Sequence, residues 1–172
     1  SNMPITGNFS PVMATRQNHT LEHATISLLL QRFGIQTKIA GRATVGCFYI
    51  YGNLPADEVK KAAHEALARL KEGEKELAIS PFCGTNLVVA GVMAGIASLI
   101  AAGSRNRLLG LPRVLTVAIG AVVAAQPLGR LVQKHLTTTP DIANLHIDRI
   151  TRSGRGTGGS HKIETIRMEA TP

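Results

Sequence analysis

Apolar side chains recur at helical spacing in two segments of the first half of the chain. The first segment predicts a helix over residues 18–33, which Asn18 caps and Gly34 ends. The second predicts an amphipathic helix over residues 56–72, which begins after Pro55 and carries charged side chains opposite its apolar face. Each helix therefore has one face to bury against other elements.

Alternation of apolar and polar residues predicts four strands. Two of them, at 37–40 and 45–51, lie between the helices, and two more, at 144–151 and 162–168, lie near the C-terminus. The glycine-rich stretch 153–160 separates the late pair and is typical of the tip of a β-hairpin. These elements favour an α+β fold in which a four-stranded antiparallel sheet packs with two helices.

The middle of the chain has a different composition. Residues 78–104 contain no charged side chain, and a second apolar stretch covers residues 114–129. The two stretches predict an inserted apolar helical hairpin, whose small residues include Gly91 and Gly95. The hairpin either packs in a core or an oligomer interface, or it contacts a membrane through residues 86–132. A helix that spans a membrane needs about 20 apolar residues, and the first stretch is long enough.

The change in composition divides the chain into two predicted domains. Residues 3–85 and 137–172 form an α+β domain, and residues 86–136 form the apolar helical hairpin. Residues 4–15 lack the basic start and the apolar run of a signal peptide. The expected location is therefore cytoplasmic, with membrane association through the hairpin as an open alternative.

Composition narrows the class of partner. The 172 residues include 19 Lys and Arg against 11 Asp and Glu, a formal net charge of +8, but no Trp and only 3% aromatic residues. A platform for single-stranded nucleic acid stacks bases on aromatic side chains, so this composition argues against one. The basic residues are scattered, which fits a solvated surface or an anionic lipid surface, and we expect no nucleic-acid partner.

The sequence His-Thr-Leu-Glu-His at residues 19–23 carries the clearest chemistry. On a helix, His19 and His23 are four residues apart, so both imidazoles leave the same face and can hold one metal ion. Glu22 is then close to the metal without having to be a ligand, which suits a general base. This order of residues is that of the inverzincin metallopeptidases.

An open catalytic metal site needs a third protein ligand beside the two histidines. Cys83 is a candidate because its predicted turn, between the charged helix and the apolar one, can present a side chain into a cleft. The other candidates are Cys47, His64, Glu65, His146 and His161. Two nitrogens and a sulfur suit both zinc and ferrous iron, so we expect one divalent ion of either kind.

The same residues resemble a known family. His-Thr-Leu-Glu-His at 19–23, followed by Cys83-Gly84-Thr85, is similar to the LuxS family of S-ribosylhomocysteine lyases, and the resemblance covers about residues 16–86. It implies that His19, His23 and Cys83 bind zinc or iron and that Glu22 is the catalytic acid/base. It also implies a LuxS/metallopeptidase-like fold and a homodimer.

Two departures from the family pattern concern the other catalytic residues. Thr44 occupies the place of the family's second cysteine, and Cys47, the remaining candidate acid/base, comes three residues later. A shift of three residues turns a strand side chain to the opposite face unless a bulge intervenes. The family also has a β-hairpin before its metal-binding helix, whereas this chain has one at its C-terminus. A circular permutation would explain the difference and would make Arg167 a substrate-binding arginine.

The expected function is a metal-dependent hydrolase or lyase that acts on a small-molecule or peptide substrate. The displaced cysteine argues against S-ribosylhomocysteine itself as that substrate. One alternative is a membrane-associated, inverzincin-like metallopeptidase. Another is a non-catalytic, metal-stabilised module that assembles through its helical hairpin.

Overall fold

The computed structural model describes residues 10–79, 84–102, 111–139, 141–154 and 159–168. The chain forms two compact units, one of Ser1–Ile79 with Thr137–Pro172 and the other of Ser80–Leu136. The sequence places the first boundary between residues 85 and 86, where the structure has it between 79 and 80. Both place the second boundary between residues 136 and 137.

One antiparallel sheet of four strands, in the order β1-β2-β4-β3, organises the discontinuous unit. Strands β1 (Ala40–Ala43) and β2 (Cys47–Tyr51) form one hairpin, and β3 (Leu145–Ser153) and β4 (Ser160–Arg167) form the other. The antiparallel pairing of β2 with β4 joins the two hairpins. The predicted four-stranded antiparallel sheet is therefore confirmed, and it ties the two ends of the chain together.

Two helices pack with this sheet, α1 (Pro11–Phe33) and α2 (Ala56–Lys71). Helix α1 ends as predicted, where Gly34 takes a φ of 88° and donates its N–H to the Leu30 carbonyl at 2.9 Å. The predicted start is wrong. Because Pro11 opens the helix well before residue 18, Asn18 is a buried interior residue rather than a cap.

The hydrophobic core lies between the sheet and the two helices. Alternate residues of β2 point into it, so Phe48 and Ile50 are fully buried, as is Ile163 of the neighbouring strand β4. Helices α1 and α2 cover this face with apolar side chains that include Leu21, Leu29 and Val59. The other face of the sheet carries the intervening residues of β2.

A fully buried histidine, His161, lies on the same face of β4 as Ile163. His161 donates its Nε2 hydrogen to the Leu54 carbonyl at 3.2 Å, and among the described residues nothing hydrogen-bonds its Nδ1. Burial lowers the pKa of His161, and the positive charge of Arg152 on β3 lowers it further, whereas the Leu54 carbonyl raises it. His161 is therefore neutral in the folded protein at pH 7.

This burial makes stability depend on pH. Because the folded pKa of His161 lies below its unfolded value of about 6.5, the unfolded chain takes up a proton first as the pH falls. We expect the free energy of unfolding to decrease below about pH 6.5, by at most about 1.4 kcal/mol per pH unit for this group. His146, whose pKa burial and Lys71 also lower, adds to the effect.

Urea unfolding between pH 5 and 8 measures the slope. His161→Gln keeps a donor for the Leu54 carbonyl but does not titrate, so we expect a smaller slope than in the wild type. An identical slope in the variant would contradict this assignment.

The second unit is a pair of apolar helices, α3 (Gly84–Ala102) and α4 (Leu111–Val132), which pack against each other. Helix α4 contains Pro127 and continues into a π-helical turn, Gln133–Thr137. This part of the structure agrees with the predicted helical hairpin. Helix α3 lies within the first apolar stretch, whereas α4 extends beyond the second one at both ends.

Small residues form the buried seam between these helices. Ala90, Ala101 and Ala125 are buried there, whereas a Cβ added at Gly91 or Gly95 would meet nothing within 4 Å. Gly91 and Gly95 therefore make no close contact within the described part of the hairpin. Contact is made through alanines instead.

One polar contact lies inside the seam. Gln133 donates from Nε2 to Asn86 Oδ1 at 2.7 Å, and both side chains are buried. A Cβ at Gly129 would lie 3.0 Å from the Asn86 carboxamide carbon, so a glycine at this position leaves room for the pair. This hydrogen bond joins two buried polar side chains within a mostly apolar unit.

Candidate metal centre

The residues around His19 and His23 belong to a helix whose polar side chains are buried. Polar residues are mostly exposed in proteins, but those of α1 lie on several sides of the helix and are almost inaccessible to solvent. They are Gln17, Asn18, Thr20, Glu22, His23 and Thr25. Buried polar groups need hydrogen-bond partners. Gln17, Asn18, Thr20 and His23 bond to backbone groups outside the helix, whereas Thr25 donates to the Leu21 carbonyl of α1 itself.

The two histidines lie side by side. The ring centroids of His19 and His23 are 4.2 Å apart, with 63° between the ring planes. His23 is buried, and its Nδ1 lies 2.9 Å from the Ala78 carbonyl oxygen. A carbonyl only accepts hydrogen bonds, so Nδ1 carries the proton and the lone pair of the neutral ring is on Nε2. This arrangement is how proteins orient a metal-binding histidine.

Glu22 is buried against strand β1. A Cβ built on Gly41 would overlap the Glu22 carboxylate and would lie 2.7 Å from its carboxyl carbon. Gly41 is paired with Ile50, so that missing Cβ would point to the core face. The glycine therefore leaves the space that the Glu22 side chain occupies.

Other polar residues of α1 hold the loops around this site. Asn18 donates from Nδ2 to the carbonyls of Thr44 and Val45, at 2.7 and 3.0 Å, in the connection between β1 and β2. Gln17 donates to the Asp141 carbonyl at 2.8 Å. The polar side of α1 thus fixes loops that are distant in the sequence.

The same helix holds both connections to residues 80–136. His23 binds the carbonyl of Ala78, just before this stretch. After it, Thr20 accepts the N–H of Thr139 at 2.9 Å, and Arg16 donates from Nη2 to the carbonyl of Thr138 at 2.6 Å. The residues next to the proposed metal ligands therefore also fix the entry and exit of the inserted segment.

The third ligand is not among the described side chains. Cys83 lies outside the residues that the structure describes, and within those residues no group of three His, Cys, Asp or Glu side chains could hold a metal ion. His64 is exposed on α2, and Glu65 forms ion pairs with Arg32 and Arg69. Neither is therefore brought to the two histidines, and Cys83 stays a prediction.

The two candidates on the late strands also lie elsewhere. His161 is in the core and is bound to Leu54, as described above. His146 is opposite Ile166 in the β3–β4 hairpin and near Lys71 of α2. No described contact joins either residue to His19 or His23.

Cys47 lies on the sheet face opposite α1. Its neighbours Phe48 and Ile50 point into the core, so Cys47 and Tyr49 point away from Glu22. Its sulfur is 3.2 Å from Thr44 Oγ1, and a hydrogen bond with Cys47 raises the pKa of Tyr49. The structure brings together Thr44 and Cys47, the two positions compared with the family's second cysteine, but it does not bring Cys47 to the histidines.

Arg167 lies against the first half of α1. It donates from Nε to Gln17 Oε1 and from Nη2 to the Ala14 carbonyl, both at 2.8 Å. Burial lowers the pKa of Arg167. The structure therefore places the side chain of Arg167, the last residue of β4, against the helix that carries the His-x-x-Glu-His residues, at a part that precedes His19. A role in binding substrate stays a prediction.

Several residues of this region have no counterpart in the sequence-based prediction. Arg16, Gln17 and Thr20 bind loops, and Gly41 makes room for Glu22. One signal was available: the polar run from Arg16 to Thr20 has no apolar face of its own, which is unusual for a helix of a small domain.

Comparisons with known proteins match most of the chain. The family described as "Domain of unknown function (DUF6391)" matches residues 14–150, from α1 to β3. An uncharacterised protein of Picosynechococcus sp. (strain ATCC 27264 / PCC 7002 / PR-6) is 30% identical over 167 residues, which cover 90% of this chain and 80% of that protein. No solved structure matches. Neither match names an activity, so the resemblance to the LuxS family stays a prediction.

Proposed function

This chain belongs to the family DUF6391, a domain of unknown function, and we propose that it is a metal-dependent hydrolase or lyase centred on His19, Glu22 and His23. The observation that carries the proposal is the orientation of His23. Its Nδ1 donates to the Ala78 carbonyl, so Nε2 carries the lone pair that would bind a metal. The neighbouring ring of His19 provides a second nitrogen at helical spacing.

The donor set fits a divalent metal. His19, His23 and, by the sequence argument, Cys83 would hold one zinc or ferrous ion. A bound ion of this kind would polarise an oxygen of the substrate or of water. The chain itself supplies the group that transfers a proton. Glu22 has a carboxyl side chain, precedes His23 directly and is buried away from bulk water.

A LuxS-like arrangement in a circular permutation accounts for the order of the elements. The C-terminal hairpin β3–β4 pairs with β2 and so completes the sheet next to the metal-binding helix. This supports the proposal that the late hairpin replaces the one expected before α1. A homodimer and a small-molecule or peptide substrate are parts of the same proposal.

Metal analysis tests the site directly. Tag-free protein purified without oxygen should contain about one zinc or iron ion per chain. We expect His19→Ala, His23→Ala and Cys83→Ala each to lose it. Two matched controls should retain it: His64→Ala, which removes an exposed histidine of α2, and Cys47→Ala, which removes the cysteine on the far face of the sheet.

The controls separate the outcomes. Loss of the metal in the three ligand variants alone supports the proposal. A wild-type protein without metal, or a metal content that His23→Ala leaves unchanged, would contradict it. Loss in Cys47→Ala but not in Cys83→Ala would support a different sulfur ligand and overturn this ligand set.

One observation favours a second candidate, a non-catalytic module. Arg16, Thr20 and His23 fix the connections on both sides of residues 80–136, so α1 has a structural role whether or not it binds metal. In such a module, substitution of Glu22 would change stability alone.

A further inference from the structure

The apolar surface of α4 surrounds most of the helix. At 100° per residue, Leu115, Ile119 and Val123 lie on one side, and all three are more than half exposed. Leu128 and Leu131 are exposed on another side. Among the side chains of α4 that the structure describes, the buried positions are Ala125 and Gly129, and Gly129 lies against Asn86 of α3. A soluble protein rarely exposes so many contiguous apolar side chains.

The dimensions of α4 match a bilayer, whereas the apolar part of α3, Val88–Ala101, is shorter. The segment Pro112–His135 is long and apolar enough to cross a membrane. Of its most apolar stretch, 11% is buried within the structure. Arg113 and Arg130 lie 17 residues apart in α4, so a rise of 1.5 Å per residue separates them by about 26 Å. The hydrocarbon core of a bilayer is about 30 Å thick.

The charges of this region have one sign. Residues 77–140 contain no Asp or Glu, and their charged side chains are Arg105, Arg107, Arg113, Arg130 and Lys134. Arg113 and the pair Arg130 and Lys134 flank the apolar part of α4 and are exposed. Cations at both ends of an apolar helix complement the phosphates of anionic lipids.

We propose that helices α3 and α4 insert together into a lipid bilayer with anionic headgroups. A second protein chain would cover one side of α4, whereas lipid covers all sides at once, as the distribution of exposed residues requires. The buried hydrogen bond between Gln133 and Asn86 fits this medium, because it pairs two polar groups inside the seam and away from lipid. The inference does not depend on the metal site.

The absence of tryptophan allows a direct test. Single-tryptophan variants of the full chain, Leu99→Trp and Ile119→Trp, place a fluorophore at exposed positions of α3 and α4. Ile35→Trp is the matched control, since Ile35 is equally exposed but follows α1. The proteins are added to vesicles of phosphatidylcholine and phosphatidylglycerol, with and without bromine on the acyl chains.

We expect brominated chains to quench the tryptophan emission of Leu99→Trp and Ile119→Trp, and aqueous iodide to quench only that of Ile35→Trp. Iodide quenching of all three variants with vesicles present would overturn the proposal. A second result would also overturn the proposal: protein that is monodisperse without detergent and in which iodide, without lipid present, quenches neither Leu99→Trp nor Ile119→Trp. A second copy of the chain would then cover the hairpin.

A charge substitution measures the same insertion as a change of affinity. Val123→Lys puts an ammonium group in the middle of α4, and a lysine at the centre of a spanning helix should lower partitioning into vesicles about a hundredfold. Val12→Lys, at an equally exposed position of α1, should leave flotation unchanged. Equal flotation of both variants would contradict insertion.

Discussion

Replacing Glu22 by Gln is expected to lower turnover about 10²- to 10⁴-fold, the usual contribution of a general acid or base. Gln has nearly the shape of Glu, so it fits the space above Gly41, but its amide does not take up a proton. Since Glu22 is not proposed as a ligand, the metal content should stay the same. The measurement is turnover of the metal-loaded chain, on a substrate found by screening peptides, esters and thioether-linked sugars, together with metal analysis.

The exposed carboxylate of Glu72, at the end of α2, provides the control for the Glu22→Gln experiment. Glu72→Gln should change neither turnover nor metal content. If Glu22→Gln lost the metal, Glu22 would be a ligand and not a proton carrier. If the two variants turned over substrate equally well, the catalytic role of Glu22 would be wrong.

Gly41→Ala is expected to destabilise the folded protein by about 1–3 kcal/mol, the usual effect of forcing an extra group into a packed interior. The new methyl group would overlap the carboxylate of Glu22 and would lie 2.8 Å from its Cγ. Either Glu22 moves out of its buried position or the strand shifts. Urea unfolding at pH 7.5 measures the loss.

A double-mutant cycle tests whether this loss comes from Glu22. The three atoms nearest to the added Cβ all belong to the Glu22 side chain beyond its own Cβ. Gly41→Ala should therefore cost little in a Glu22→Ala background. Gly46→Ala, where the added Cβ meets nothing within 4 Å, should be nearly neutral in both backgrounds. A full loss in the Glu22→Ala background would show that the strain lies elsewhere.

Periodicity predicts the elements well where polar residues are exposed and apolar ones buried. Helix α2 follows this rule and begins and ends within a residue of the predicted bounds. Helix α1 does not follow it, because Gln17 and Asn18 are polar and buried. An apolar stripe therefore becomes visible only from Leu21 onward, and periodicity does not predict the first two turns of α1.

Strand β1 shows the same limit. The sequence predicts strands at 37–40 and 45–51, which leaves Gly41 and Arg42 between them, whereas both residues lie within β1. The glycine is tolerated there because Glu22 approaches the strand backbone. Such a contact between residues distant in sequence cannot be read from local propensity.

The site is predictable only as far as it is local. His19, Glu22 and His23 are neighbours on one helix, so their spacing alone places them together. The bond between His23 and Ala78 and the contact of Arg167 with α1 depend on tertiary structure. The opposite orientation of Cys47 depends on which face of β2 the helices cover, although the three-residue shift already indicates it.

The contacts of Ala78 and Thr139 with α1 have a consequence for how this architecture could arise. They are made at His23 and Thr20, which are three residues apart, about 4.5 Å along the helix axis. The two ends of the interrupted unit are thus neighbours, and a short loop could once have joined them. An ancestral host that already closed this gap could acquire, exchange or lose a hydrophobic insert at little cost in loop-closure entropy, without redesign of its sheet.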